Sequence, residues 1–195
     1  MIPEGTRVYA IGDIHGRLDL LKRLEATITR ELATARPRRS VVVYLGDYVD
    51  RGPDSFGVID RLLDCPLPAD EIVHLLGNHE EAMRRFLVDR SIGSGWLGFG
   101  GLQTLESYGA APDDMAPRLW FVEAQKALHA KLPQRHRDFL ESLQLWHREG
   151  NYLFVHAGIR PGIPLERQHE EDLIWIRREF LDSAADHGAV VVHGH

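Results

Sequence analysis

Five short segments of the sequence place aspartate, asparagine or histidine beside glycine. In chain order they are GDIHG at 12–16, GDYVDRG at 46–52, GNHE at 77–80, HAG at 156–158 and HGH at 193–195. Their side chains offer oxygen and nitrogen donors without a thiolate, a set suited to Mn²⁺, Fe or Zn²⁺. Asp13 and His15 are two residues apart, so an extended backbone points both side chains the same way. These residue types predict a metal centre.

The number of candidate ligands favours two metal ions over one. The candidates are Asp13, His15, Asp47, Asn78, His156 and His195. Six ligands are too many for one tetrahedral ion, whereas two ions roughly 3.5–4 Å apart that share a bridging carboxylate would use them all. Each segment alone could be a turn, a helix N-cap or a satisfied strand end. Their joint recurrence at predicted strand ends favours a dinuclear site.

The elements that position these residues follow from the apolar pattern. Strands are predicted at Arg7–Ile11, Val41–Leu45 and Ile72–Leu76, and residues at helical spacing separate them. Strands alternating with helices predict βαβ units and a largely parallel sheet. Because sites in such sheets lie outside the carboxyl ends of the strands, the segments are expected to converge on one spot.

The second half of the chain has a different organisation. The glycine-rich stretch Ile92–Gly101 is predicted to be a loop, and residues 102–145 are predicted to be helical with breaks at prolines. A hairpin is predicted around residues 149–151, and a last strand at Ala189–His193. We interpret residues 1–195 as a single domain with a helical cap insertion at about 92–145.

Composition places limits on the class of protein. The chain has 195 residues, 44% of them hydrophobic, a net charge of −6 and a single cysteine, Cys65. One cysteine excludes an intrachain disulfide, and no apolar run approaches the roughly 20 residues that cross a membrane. The first residues lack a signal-peptide pattern. We therefore expect a cytoplasmic protein with neither a membrane nor a nucleic acid as partner.

The five segments together resemble the motifs of the calcineurin-like metallophosphoesterases. The GDYVDRG and GNHE forms are similar to the phosphoprotein phosphatase branch, in its bacterial and phage type. The resemblance implies an α/β fold, a four-layer αββα sandwich. The family's last strands follow the late Gly-His motif, so we expect a longer natural chain and a second sheet that lacks those strands after His195.

The resemblance also implies how the ligands are shared. One metal takes Asp13, His15 and Asp47, and the other takes Asp47, Asn78, His156 and His195. The cofactors expected are therefore two divalent ions, Mn²⁺ first and Fe or Zn²⁺ as alternatives.

The same resemblance implies four catalytic residues. His79 is the general acid that protonates the leaving group, and Asp50 orients it. Arg51 adjoins Asp50 and can hold phosphate oxygens in a bidentate fork. A second phosphate-binding arginine is expected after the HAG segment, and Arg177 in the stretch IWIR at 174–177 matches that position.

The function expected first is a metal-dependent phosphomonoesterase, a serine/threonine protein phosphatase that uses hydroxide bound to a dinuclear centre. Its substrates would be phosphorylated proteins or small phosphoesters. The alternatives are a hydrolase of dinucleoside polyphosphates, of the diadenosine tetraphosphate type, and an inactive phosphate-binding module. Two further assignments concern residues without a catalytic role. Asp54, Glu80 and Glu81 are interpreted as helix-start charges. Trp96 and Phe99 are expected to pack in the cap, with the lining of a substrate groove as the alternative.

Overall fold

The computed structural model describes residues 1–113 and 116–195, and its first half is a parallel sheet with connecting helices. The elements are β1 (Thr6–Ile11), α1 (Leu18–Thr34), β2 (Arg39–Tyr44), α2 (Ser55–Asp64), β3 (Glu71–His74) and α3 (Asn78–Val88). The strand order is β1-β2-β3, and both neighbouring pairs are parallel. The central strand β2 is buried on both faces, which explains its continuous run of valines at 41–43. The predicted βαβ units are confirmed.

Helices occupy most of the stretch from residue 93 to residue 142. They are α4 (Gly93–Gly98), α5 (Gly101–Ser107), α6 (Pro117–Lys131) and α7 (Gln134–Ser142), preceded by a 3₁₀ turn at Arg90–Ile92. The predicted loop over Ile92–Gly101 is wrong, because most of it is α4. Its glycines disfavour a helix, but the indole of Trp96 is only 1% exposed, and its burial anchors the segment in the core.

The last part of the chain builds a second sheet. Its elements are β4 (Trp146–Glu149), β5 (Tyr152–Val155), a 3₁₀ turn at Leu165–Arg167, α8 (Glu170–Trp175), α9 (Arg178–Leu181) and β6 (Val190–Val192). β4 and β5 are antiparallel and β6 is parallel to β5. Glu149 pairs with Tyr152, so Gly150 and Asn151 form the turn, and Gly150 adopts a φ of +59°. The predicted hairpin is confirmed.

Three apolar clusters separate the layers of the fold. Alternate residues of β2 face opposite ways: Val42 faces α1 and α2, whereas Val41 faces the second sheet. Phe154 of β5 packs in the cluster between the two sheets. On the outer face of the second sheet, Leu153 and Val155 pack with residues of α8 and α9. The order helix, sheet, sheet, helix is the predicted four-layer αββα sandwich.

The helices of residues 93–142 share the core of the first sheet. Trp96, Leu105, Leu128 and Phe139 belong to the same buried cluster as Val42 of β2. The division into one domain with a helical cap at about 92–145 stays a prediction. Within the described residues, none of the helices combines the length and the apolar character that a bilayer span requires.

Candidate active site

The carboxyl ends of the strands bring the five polar segments to one edge of the sandwich. Asp13 and His15 follow β1, Asp47 follows β2, Asn78 and His79 begin α3, His156 follows β5, and His195 follows β6. Backbone hydrogen bonds join the loops. The amides of Ile14 and His15 both donate to the carbonyl of Asp47 at 2.9 Å, and Gly194 donates to the carbonyl of His156 at 2.9 Å. Residues far apart in sequence are thereby held side by side.

Asp47 lies at the centre of the site, with a side chain only 2% exposed. Its Oδ2 is 3.7 Å from His15 Nε2 and 3.8 Å from His79 Nε2, and its Oδ1 is 3.3 Å from His156 Nε2. Two donor groups result, His15 with Asp47 and His79, and Asp47 with His156 and His195. A carboxylate whose two oxygens face two different donor groups has the geometry of a bridging ligand.

The imidazoles are oriented so that Nε2 faces the site. His15 Nδ1 donates to the carbonyl of Val49 at 2.9 Å, and His156 Nδ1 donates to the carbonyl of Leu45 at 2.8 Å. A carbonyl only accepts, so these bonds place the proton on Nδ1 and leave Nε2 as the ligand atom. The Nε2 atom of His195 is buried and has no hydrogen-bond partner among the described residues. Such an atom costs free energy unless a ligand satisfies it, so the donor set fits divalent metal ions.

The other two predicted ligands lie at the margins of these groups. Asn78 is buried, and its Oδ1 is 3.0 Å from His156 Nε2. The Asp13 side chain is 26% exposed, with Oδ2 3.9 Å from His15 Nε2. Its Oδ1 accepts the backbone N–H of His195 at 3.1 Å. The other five predicted ligands therefore lie around Asp47.

The electrostatics of the site favour the metal-binding protonation state at Asp47 and His195, whereas at His156 burial is outweighed by the hydrogen bond and charge of Asp47, which raise its pKa. Burial opposes ionisation of Asp47, but the hydrogen bond and charge of His156, with the charges of His79 and His15, lower its pKa to about 2. Burial, with the charges of His156 and Arg177, lowers the pKa of His195 to about 4. An ionised carboxylate and a neutral imidazole are the forms that bind a metal ion.

Asp50 and His79 form a buried pair beside Asp47. His79 Nδ1 is 2.7 Å from Asp50 Oδ2, and the two side chains are 1% and 0% exposed. Burial disfavours the imidazolium, but the hydrogen bond to Asp50 and the charge of Asp47 outweigh it and raise the pKa of His79. A guanidinium nitrogen of Arg51 lies 3.1 Å from His79 Nε2, and another lies 2.9 Å from His15 Nε2. A histidine held in this way can carry a proton at the edge of a substrate site.

Arg177 is near enough to the site for its charge to act on His195. It is exposed and immediately precedes α9. Arg178, the next residue, is the first residue of α9.

Backbone strain is concentrated in the site. Within residues 1–113 and 116–195, the non-glycine residues with positive φ are His15, Asp47, Asp50, Arg51 and His195. Such conformations cost of order 1–3 kcal/mol each and persist only where the surroundings hold them. Every one of these residues was predicted from the sequence as a ligand or a catalytic group.

Glu80 has a larger part in this site than its position at a helix start indicated. Its side chain is fully buried. The carboxylate accepts backbone N–H bonds from Asp47 at 2.8 Å, Tyr48 at 2.7 Å, Val49 at 3.1 Å and Gly77 at 3.1 Å. It thereby fixes the Asp47 loop against the start of α3. Because glutamate is common in a first helical turn, the sequence carried no signal for these contacts.

Two aromatic rings border the site. Phe99 is 42% exposed, and its ring centroid lies 6.1 Å from that of His79 and 5.7 Å from that of Trp175. Trp175 lies 6.3 Å from His195. We call Phe99 and Trp175 the aromatic rim. The packing expected for Trp96 is observed, since Trp96 is in the core, whereas Phe99 is partly open to solvent.

The chain is similar to known proteins over most of its length. The family model described as calcineurin-like phosphoesterase matches residues 6–195. A bis(5'-nucleosyl)-tetraphosphatase, symmetrical, of Acidovorax sp. (strain JS42) is 31% identical over 154 residues, which are 79% of this chain and 44% of that protein. The enzyme of the same name from Nitrosomonas europaea is 29% identical over 196 residues, 96% of this chain and 59% of that protein. The chain thus spans about half the length of these curated relatives.

Two further similarities bear on fold and branch. The crystal structure of a "putative diadenosine tetraphosphatase" superposes with a TM-score of 0.58 at 25% identity and covers 100% of this chain and 77% of that one. Serine/threonine-protein phosphatase 2 of Escherichia coli (strain K12) is 35% identical over 95 residues, but these are only 48% of this chain and 38% of that protein. The tetraphosphatase similarity extends over more of the chain.

Proposed function

The chain belongs to the calcineurin-like phosphoesterases, and from that membership we propose that it is a metal-dependent hydrolase of dinucleoside polyphosphates, of the diadenosine tetraphosphate type. The observation that carries this proposal is the pair of donor groups on the two oxygens of Asp47. The choice of substrate is supported by the relatives that match most of the chain, which are named symmetrical bis(5'-nucleosyl)-tetraphosphatases.

The metal centre is proposed to use the six ligands named from the sequence. Asp13, His15 and Asp47 hold one ion, and Asp47, Asn78, His156 and His195 hold the other. When bound, divalent ions of which Mn²⁺ is the first candidate supply Lewis-acid stabilisation of phosphate charge and lower the pKa of a water molecule.

Side chains of the protein perform the remaining steps. Asp50 holds His79 through Nδ1, so His79 can deliver a proton from Nε2 to the leaving group. Arg51 lies between His15 and His79, where its guanidinium can form a bidentate contact with phosphate oxygens. Arg177 approaches the site from the side of His195 and is the second phosphate-binding cation.

Two observations favour a dinucleotide over the phosphoprotein expected first from the sequence. The similarity to a serine/threonine phosphatase covers about half of the chain, whereas the similarity to tetraphosphatases covers most of it. The aromatic rim also offers partly exposed rings beside the phosphate site, and a nucleobase stacks on such rings, whereas a phosphoserine side chain does not.

Substrate comparison tests the proposal. Mn²⁺-loaded protein is incubated separately with diadenosine tetraphosphate and with a phosphoserine peptide, each with a chelator control. We expect chelator-sensitive cleavage of the dinucleotide with kcat/KM well above that for the peptide. Preferred dephosphorylation of the peptide would contradict the proposal and would support a serine/threonine protein phosphatase. Tight metal binding with hydrolysis of neither substrate would support the inactive phosphate-binding module.

A further inference from the structure

Trp96 and Thr104 lie outside every motif of the sequence, yet both contact the Asp50–His79 pair. We propose that they are positioning residues, which hold the Asp50 carboxylate so that it orients His79 for proton transfer. The inference rests on the proposed role of His79 as the acid. Residues 96–104 belong to the stretch that the sequence predicted to be a cap. Under this proposal they help to build the catalytic centre.

Both oxygens of Asp50 are bound by this segment. Thr104 Oγ1 donates to Asp50 Oδ1 at 2.6 Å, and Trp96 Nε1 donates to Asp50 Oδ2 at 2.9 Å. Oδ2 also receives His79 Nδ1 at 2.7 Å. All four side chains are at most 1% exposed. Hydrogen bonds to a charged group that is shielded from water are strong and directional, so the carboxylate has one orientation.

The direction of each bond around Thr104 can be worked out. Its hydroxyl has one proton, which goes to the acceptor-only carboxylate of Asp50. Thr104 Oγ1 must then accept from the Asp50 amide at 2.8 Å and from the Ser55 hydroxyl at 2.9 Å. The Asp50 amide also reaches Ser55 Oγ at 3.1 Å. Thr104 therefore holds both the backbone and the side chain of Asp50.

The backbone that Thr104 contacts is strained. Asp50 and Arg51 are consecutive non-glycine residues with φ of +71° and +65°, a conformation that needs support from its surroundings. The Arg51 amide donates to the carbonyl of Gly100 at 3.1 Å. A Cβ at Gly100, which has a φ of +102°, would lie 2.8 Å from the Arg51 nitrogen, and one at Gly101 would lie 2.6 Å from the indole of Trp96. The glycine pair allows the segment to approach this closely.

The consequence for His79 is geometric. The hydrogen bond from His79 Nδ1 follows the position of Asp50 Oδ2. A fixed Oδ2 therefore fixes the plane of the imidazole and directs Nε2 into the site. Without the bonds from Thr104 and Trp96 the carboxylate could rotate, and the imidazole would lose its fixed direction. Neither residue touches the candidate metal ligands in the hydrogen bonds that the structure gives it, so metal content should not depend on them.

The test combines a spectroscopic readout with kinetics. Thr104→Val removes the hydroxyl at nearly constant shape, Thr104→Ser restores it, and Trp96→Phe removes the indole N–H. Thr27→Val on the exposed face of α1 and Trp120→Phe on α6 are matched controls. In Zn²⁺-loaded protein labelled with ¹⁵N-histidine, the Nδ1–H resonance of His79 is identified by its absence in His79→Asn. We expect Thr104→Val and Trp96→Phe to shift or broaden it, while Thr104→Ser and both controls leave it in place.

The kinetic arm uses diadenosine tetraphosphate and Mn²⁺. Thr104→Val should lower kcat by roughly 10- to 100-fold, the value of a hydrogen bond to a charged group, with KM changed less than about twofold and metal content unchanged. An unmoved His79 resonance in both variants would overturn the proposal, as would a loss of kcat that follows loss of metal or that Thr104→Ser fails to restore. Wild-type protein that does not cleave the dinucleotide would refute the proposed function, and the resonance would still decide the positioning role.

Discussion

Three buried carboxylates next to one another have three different sets of partners, and this difference separates their roles. Asp47 faces imidazole nitrogens, Asp50 faces Thr104, Trp96 and His79, and Glu80 faces backbone amides. A buried charge is tolerated only where such partners compensate it. These partners support the three roles proposed above: Asp47 as a metal ligand, Asp50 as the carboxylate that orients His79, and Glu80 as the support of the Asp47 loop.

His79 is the residue whose role is most open to test, since its Nε2 also falls in a donor group with His15 and Asp47. If it is the acid, His79→Asn lowers kcat by roughly 10²- to 10⁴-fold, the usual contribution of general acid catalysis, while metal content stays at the wild-type level. Metal analysis and steady-state kinetics on the same preparation check this. A variant that loses half or more of its metal would identify His79 as a ligand.

Glu80→Gln tests the support of the Asp47 loop. The amide keeps one acceptor oxygen and turns an N–H₂ toward backbone donors, so we expect the free energy of unfolding to fall by about 2–4 kcal/mol. Urea denaturation measures it. Glu81→Gln is the matched control, because among the residues that the structure describes Glu81 forms an ion pair only with Arg85, at 3.5 Å, and it should cost less than about 0.5 kcal/mol. Equal stability of the two variants would contradict the role assigned to Glu80.

At the scale of elements, sequence patterns predict the regular structure of this chain well and the contacts between its elements less well. Apolar runs located β1, β2 and β3, and glycine next to polar residues located the loops after them. The five glycines of residues 92–101 indicated a loop, because helix propensity is local. Trp96, which anchors the segment, is buried in the core and bonds to Asp50, 46 positions away. Contacts of that range leave no periodic signal.

The aromatic rim predicts how the chain selects its substrate. Trp175→Ala should raise KM for diadenosine tetraphosphate by roughly 5- to 100-fold, since stacking of a base on an aromatic ring is worth about 1–3 kcal/mol. KM for p-nitrophenyl phosphate, which has no nucleobase, should change less than about twofold. Trp146→Ala, which removes a 37% exposed tryptophan on β4, is the control. Equal effects on both substrates would mean that Trp175 only shapes the site.

Helix α8, which carries Trp175, is stabilised by an ion pair between Arg160 and Asp172. This pair predicts that stability depends on pH. Arg160 Nε donates to Asp172 Oδ2 at 2.8 Å, and this hydrogen bond with the charge of Arg160 lowers the pKa of Asp172. The pair therefore contributes fully above pH 4, and the contribution is lost as the pH falls through the lowered pKa of Asp172.

Urea unfolding of wild type and Asp172→Asn between pH 7 and pH 2 measures this contribution. We expect a difference of roughly 1 kcal/mol at pH 7, kept small because Arg160 is 46% exposed. The difference should shrink toward zero at the lowest pH. A difference independent of pH would show that the contribution of Asp172 is not that of an ionised partner.

At the scale of the whole molecule, the site exists only because two sheets and five loops assemble together. Its residues run from Asp13 to His195, and loops that follow strands of both sheets supply candidate ligands. Residue type and position at strand ends were enough to predict that these loops meet. They could not predict that the two oxygens of Asp47 would face two different donor groups. That arrangement depends on Glu80, which holds the Asp47 backbone, and on the carbonyls of Leu45 and Val49, which orient the imidazoles of His156 and His15.

The most direct test of this arrangement is the metal content of the Mn²⁺-loaded chain after removal of free metal, compared with that of Asp47→Asn. We expect two ions per wild-type chain. We expect less than one in the variant, since both donor groups share the altered side chain. One ion or fewer in the wild type, unchanged by the substitution, would contradict a dinuclear centre built on Asp47.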